Sequence, residues 1–165
     1  MFNLNNLLTD FQLRKILFLF PLILIYAFLL FLGDIQEDAY ITIRTAFNLA
    51  DHGDFSYNLG EDYSGATSYL YPFLIALIRL ASGERAITIV LIVNAIALLV
   101  TTYYLSRIFG CIFNFSIAIR GLLWIVLSIA PASLLMVSRG METPYVALLF
   151  VVGYVYNRVL CLTLA

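Results

Sequence analysis

The sequence predicts an all-α, polytopic transmembrane helical bundle of about four spanning helices, with an outer loop carrying two membrane-lying amphipathic helices. Hydrophobic residues make up 63% of the 165 positions and charged residues 12%, and the mean hydropathy is +0.99, outside the range of soluble domains. Four runs are apolar and close to the roughly 20 residues that a helix needs to cross a bilayer core. Asp34, Glu37, Asp38, Asp51, Asp54, Glu61 and Asp62 crowd one stretch in which Arg44 is the only Lys or Arg, so that stretch belongs in water. No basic patch invites nucleic acid. Cys111 and Cys161 lack metal-ligand spacing and suggest neither redox chemistry nor zinc.

The first run, Ile16 to Leu32, follows Arg14 and Lys15 and resembles a secretory signal in outline. It is longer than a usual signal core, however, and Gly33-Asp34-Ile35 provides no small-x-small cleavage site. It reads as a retained signal anchor whose basic flank stays in the cytoplasm. The spans fall at about Lys15 to Leu32, Ala86 to Tyr104, Ile117 to Val137 and Pro144 to Leu162. A further apolar run, Tyr69 to Ala81, lies between Ser68 and Ser82-Gly83-Glu84 and is short for a span; its length suits an interfacial or re-entrant helix. On that reading 33–85 is one outer loop, 110–116 is cytoplasmic and 138–144 is a second outer loop on the acidic side. If the run crossed instead, every later segment would be inverted. The charges are too few to decide, and length favours the interfacial reading.

Within the outer loop, Asp38 to His52 places Ala39, Ile43, Ala46, Phe47 and Ala50 at helical spacing, with Thr45, Asn48 and Asp51 on the other side. Asp38 stands where an N-terminal cap is expected and Gly53 where a left-handed stop is expected. Asp54 to Ser68, rich in Tyr, Asn, Gly and Ser, reads as an ordered loop against the helices.

Two places could carry chemistry. Glu37-Asp38 begins the amphipathic helix, where the positive partial charge of a helix start favours carboxylates. Such a pair at the membrane surface could take a proton from an attacking hydroxyl or bind a divalent cation. The plainer reading is that Asp38 caps the helix. The other place is Arg139-Gly140-Met141-Glu142-Thr143-Pro144, between two spans. Ionisable groups there are costly and tend to mark sites, although Thr143-Pro144 also suits a helix start and Arg139 a snorkelling interface residue. Asn94, Ser128 and Ser133 read as interhelical hydrogen-bonding groups, and His52 as a surface residue.

Asp34 to Arg44, followed by Asn48-Leu49-Ala50, Tyr57-Asn58, Gly60-Glu61 and Gly65 to Pro72, resembles the first outer loop of GT-C membrane glycosyltransferases. The likeness is to the branch dependent on polyprenyl-phosphate sugars, which includes arabinofuranosyl- and mannosyltransferase-like enzymes. Ser138 to Thr143 is similar to the serine-x-glycine-methionine-glutamate-threonine stretch that opens a later helix in that family. The resemblance runs from about Ile16 to Arg158 and matches only the family's N-terminal module, so it implies that 1–165 is an incomplete transferase.

What the resemblance implies is an inverting transfer of a sugar from a polyprenyl-phosphate donor to a glycan, lipid or protein acceptor. The reaction would take place on the outer face of a multi-pass protein of a bacterial inner or plasma membrane. The family's acidic pair, which supplies the base, falls on Glu37 and Asp38; Glu-Asp departs from the usual Asp-Asp or Asp-Glu and leaves open which carboxylate acts. Arg44, Tyr57, Asn58, Ser64, Gly65, Arg139 and Glu142 are the expected substrate-binding residues. Arg44, Arg79 or Arg139 would face the lipid phosphate, Arg44 competing with its own pairing to Asp51 or Asn48. No cofactor is required by the pattern; a divalent cation, if used, would be held by Glu37, Asp38 and Glu142. The competing class is a non-catalytic or truncated membrane module that binds lipid or a partner helix. A secondary transporter fits less well, since Pro131 is the one helix-breaking feature of the kind expected at mid-membrane.

Overall fold

The computed structural model describes residues 35–163, with side chains through Asn157, together with Phe20, Ile23, Leu24, Ile25 and Ala27, which are helical. Asp34 and most of the first predicted span lie outside the described residues. Every regular element among the described residues is a helix: α1 (Glu37–His52), α2 (Leu70–Ser82), α3 (Ala86–Ile112), α4 (Ile117–Ile129), α5 (Pro131–Ser138) and α6 (Thr143–Thr163), with a single 3₁₀ turn, Gly83–Arg85, between α2 and α3.

Leu70 to Ile112 is an unbroken run of helical residues, yet it is not one straight rod. The Tyr71 hydroxyl lies 3.3 Å from Asn94 Nδ2, whereas 23 intervening steps along a straight helix would separate the two by about 34 Å. The chain therefore turns back at Gly83, and α2 lies against the first half of α3. Gly83 takes φ 58° and ψ −130°, a conformation close to the region reserved for glycine. A 13-residue α2 agrees with the helix expected over Tyr69 to Ala81. It packs as one arm of a hairpin with α3.

α1 lies beside α2 and runs the same way. Ile43 and Ala46 share a buried cluster with Tyr71, Ile75, Ala76 and Val90, and further along Phe47 and Asp51 both meet Arg79. Parallel neighbours need a long return connection, which residues 53–69 supply. Gly53 ends α1 at φ 72° as expected, its N–H donating to the Leu49 carbonyl at 3.0 Å.

The remaining helices form an up-and-down bundle. Facing residues show that α4 and α5 run antiparallel to α3. Arg120 Nη2 donates to the Gly110 carbonyl at 3.2 Å, the Thr102 and Ser128 hydroxyls meet at 2.9 Å, and Ala95 and Leu98 pack with Val137 and Ile25. Trp124 Nε1 donates to the Leu99 carbonyl at 3.1 Å. An interhelical hydrogen bond in an apolar setting is worth about 0.6–2 kcal/mol, which agrees with the role expected of Ser128. Ser133 instead bonds locally, to the Leu127 carbonyl at 2.7 Å. The span expected over Ile117 to Val137 is bent by 50° between α4 and α5. Pro131 lacks an N–H and forces Ala130 into an extended conformation, ψ 138°, so helical hydrogen bonding is interrupted there.

The stretch Leu70–Ile112 contains an 18-residue window with a mean hydropathy of 2.2 and is long and apolar enough to cross a membrane. α4 and α5 qualify together as one bent span, and Thr143–Asn157 is a shorter apolar helix. With the fold at Gly83, the part of that stretch long enough to cross is α3, whose 27 residues extend about 40 Å. Along α3 the turn at Gly83 comes first, the level of Asn94 and Gly140 next, and the α3–α4 turn at the far end. Cys111, exposed near that turn, is a natural reporter. With Cys161 replaced by Ser, Glu84→Cys and Arg139→Cys should react with an impermeant maleimide from one side of the membrane and Cys111 from the other. Glu84→Cys sharing the side of Cys111 would overturn α3 as a crossing helix.

Candidate functional site

The site expected from the sequence falls where the starts of α1 and α2 and the interior of α3 meet the corner between α5 and α6. Residues 139–141 are outside the helices, so their carbonyls need donors from elsewhere. The Gln36 N–H donates to the Arg139 carbonyl at 3.3 Å, the Tyr71 hydroxyl to that of Gly140 at 2.8 Å, and Asn94 Nδ2 to that of Met141 at 3.3 Å. Gly140 adopts φ 70°, and a Cβ there would stand 3.4 Å from Ala39 Cβ. Residues 139–141 are thereby pinned to the start of α1, which brings the segment of Glu142 to the acidic pair. α6 opens at Thr143 as anticipated.

Glu37 and Asp38 occupy the first turn of α1 and are both exposed. Asp38 is not the cap: Gln36 holds that position, and no side chain caps the helix. The chain starts turning one residue before the acidic pair because Gln36 is tied to Arg139, and Ala39 and Tyr40 both donate to the Gln36 carbonyl. Thr42 Oγ1 donates to the Asp38 carbonyl at 3.2 Å. Neither carboxylate has a hydrogen bond or ion pair among the described residues. Glu142 Oε1 accepts from the Thr67 hydroxyl at 3.2 Å, which ties the 53–69 loop to the corner. Arg139 is exposed beside them. Among the described residues no three His, Cys, Asp or Glu side chains gather as a metal ion would require, so Glu37, Asp38 and Glu142 do not form the ligand group that the sequence suggested.

The other expected binding residues hold the loop against α1. Arg44 lies over the Tyr57 ring, 4.6 Å from its centroid, and Nη2 donates to Asn58 Oδ1 at 3.0 Å; Asn58 Nδ2 in turn donates to Glu61 Oε2 at 3.0 Å. The alternatives of Asp51 and Asn48 as partners of Arg44 are not realised. Asp51 pairs with Arg79 at 3.1 Å, while Asn48 Nδ2 donates to the carbonyls of Ser56 and Tyr57 at 2.9 and 3.0 Å. Arg79 also meets Glu84 at 3.1 Å and stacks on Phe47, so its charge is committed away from the acidic pair. The Ser64 carbonyl accepts from the Thr45 hydroxyl, and Gly65, at φ 65°, presses so closely on Ile41 that a Cβ would stand 2.7 Å from Ile41 Cγ2. Thr45, assigned by periodicity to the solvent side, is 0% exposed because this loop covers it.

Nothing in the residue pattern singles out Thr67 or Tyr71, and by pattern alone Asn94 is an ordinary interhelical group. One signal was available for Asn94: it is the only amide in the long apolar stretch from Ala86 to Val100. No protein-family model, curated protein or solved structure matches the chain.

Asp54 anchors the loop's outer turn. Its carboxylate accepts from the Gly60 N–H at 2.8 Å, and that bond holds its pKa below the ordinary value. A depressed folded pKa contributes stability that is fully present above about pH 4, the ordinary aspartate value, and is lost as pH falls through the folded pKa. Proteolysis within 54–68 should therefore speed up on acidification below about pH 4, and Asp54→Asn should remove that dependence. Gly65→Ala should loosen the same loop at neutral pH. Backbone strain of about 1–3 kcal/mol adds to the clash with Ile41, so cleavage within 54–68 should rise, while Gly60→Ala, which meets no atom within 4 Å, should show the strain effect alone.

Proposed function

We propose that this chain is the acidic-loop module of a GT-C-type membrane glycosyltransferase. It transfers a sugar from a polyprenyl-phosphate donor to a cell-envelope glycan, lipid or protein acceptor on the outer face of a multi-pass membrane protein. The observation that supports this reading best is the state of Glu37 and Asp38. They are exposed, make no cap and no ion pair among the described residues, and head a helix pinned to the corner that carries Arg139 and Glu142.

In this reading Asp38 or Glu37 accepts the proton of the acceptor hydroxyl. The oxygen then attacks the anomeric carbon from the face opposite the lipid phosphate, the carbon–phosphate-oxygen bond breaks, and configuration inverts. Charge builds on the departing phosphate, where a guanidinium is worth most. Arg139, exposed at the corner, is better placed for this than Arg44, which is held by Tyr57 and Asn58. Glu142, fixed by Thr67, lines the acceptor side.

A second reading, a non-catalytic module that binds lipid or a partner helix, draws support from α6. Val146, Leu149, Phe150, Gly153, Tyr154 and Asn157 line a groove of about 540 Å³ along it.

Asp38→Asn and Glu37→Gln separate the two readings. If one carboxylate is the base, its amide variant should lose about two to four powers of ten in sugar transfer and the other much less, with detergent thermal stability unchanged because neither side chain caps α1. Transfer is to be measured with a polyprenyl-phosphate sugar in the full-length protein. Equal, mild losses that follow stability would remove the catalytic assignment.

A further inference from the structure

Asn94 is 0% exposed, and its amide reaches both anchors of the corner. The Tyr71 hydroxyl has one proton, and the 2.8 Å approach to the Gly140 carbonyl takes it. Its 3.5 Å separation from Asn94 Oδ1 is then a mere proximity, and Asn94 Nδ2 donates to the phenol oxygen at 3.3 Å. The second Nδ2 proton goes to the Met141 carbonyl at 3.3 Å. One amide thus fixes two successive peptides of the corner, one directly and one through Tyr71. Those peptides lead straight into Glu142, and Gly140 faces the two sides of the acidic pair, where a Cβ on it would stand 3.4 Å from Ala39 Cβ and 3.5 Å from Ile35 Cγ2.

We propose that Asn94 is a positioning residue for the transfer, acting through Tyr71 and the Gly140 and Met141 peptides to keep Glu142 and the Glu37–Asp38 turn in register. This rests on the reading of that turn as the source of the base. The contacts have no slack that would let another group substitute. Gly140 has a left-handed backbone, the Tyr71 ring packs at a tilt of 49° against Tyr145 with centroids 5.3 Å apart, and Tyr71 is itself buried. Loss of a purely stabilising hydrogen bond, such as that between Thr102 and Ser128 further down α3, would lower stability without moving the corner.

The test is made on the full-length protein in lipid, with Cys111 and Cys161 replaced and spin labels at Tyr40→Cys and Thr143→Cys, both exposed positions. Asn94→Leu and Tyr71→Phe should each broaden or lengthen the label-to-label distance, and Thr102→Val should leave it as in the parent. In unlabelled protein the first two should lower kcat about 100-fold, the scale of an ångström-sized misplacement, with little change in the donor KM. Because both act on one corner, the double variant should be no worse than the poorer single one. The proposal is overturned if Asn94→Leu keeps the parental distance, or if it lowers kcat no more than Thr102→Val does. A parent protein that transfers no sugar would sink the transferase reading instead, and the distances would then decide the lock by themselves.

Discussion

The backbone of residues 139–141 has to find hydrogen-bond donors among apolar helices, and most of the architecture around it follows from how that need is met. A buried carbonyl left without a partner costs about 1–3 kcal/mol, a penalty that falls in full on buried Gly140 and in part on half-buried Met141. The donors come from the residue before α1, the start of α2 and the middle of α3. Satisfying one short corner therefore draws three separate segments together. The acidic pair is brought to Arg139 and Glu142 as a by-product of that requirement.

A second layer rests on the first. Once the starts of α1 and α2 are fixed side by side, the parallel pair can close along its length on Ile43, Ala46 and Ile75, with Asp51 and Arg79 meeting at the distant end. The return loop then has a fixed surface to lie on, and its contacts are local and polar: Asn48 to two loop carbonyls, Thr45 to Ser64, Arg44 to Tyr57 and Asn58. The outward side of α2 is left apolar, with Leu70, Phe73, Leu77 and Leu80 all exposed, as befits a helix next to a spanning one.

The sequence made the helices legible and left their mutual packing mostly hidden. α1, its glycine stop and the short α2 are written in local periodicity and in Gly53, which needs a left-handed backbone. The meeting of the acidic segment with Ser138–Thr143 was also accessible, because it follows from counting spans. The position of Asp38 was misjudged because the cap is set by a tertiary bond from Gln36 to Arg139, invisible to a rule about neighbouring residues. Thr45 was placed in solvent because periodicity does not register a loop folding over a helix. Pro131 was noticed, but its consequence, a 50° bend, depends on the extended backbone it imposes on Ala130. The fold at Gly83 required knowing that Tyr71 and Asn94 touch. Beyond the acidic pair, the residues proposed for binding divide into those at the corner and those that secure the loop, a distinction available only from their partners.

The corner also governs when the structure can be completed during synthesis. Tyr71 leaves the ribosome 69 residues ahead of the carbonyl it must bond, and at about 5–20 residues per second that interval is roughly 3–14 s. Helix formation takes microseconds or less, so α1 and α2 exist as helices long before anything holds their starts. During that interval the unpaired polar ends and the apolar faces of both helices are open to the lipid surface and to chaperones. The acidic turn reaches its final place only when the α5–α6 corner arrives, which makes the last step of folding in this part of the chain the one that assembles the proposed site.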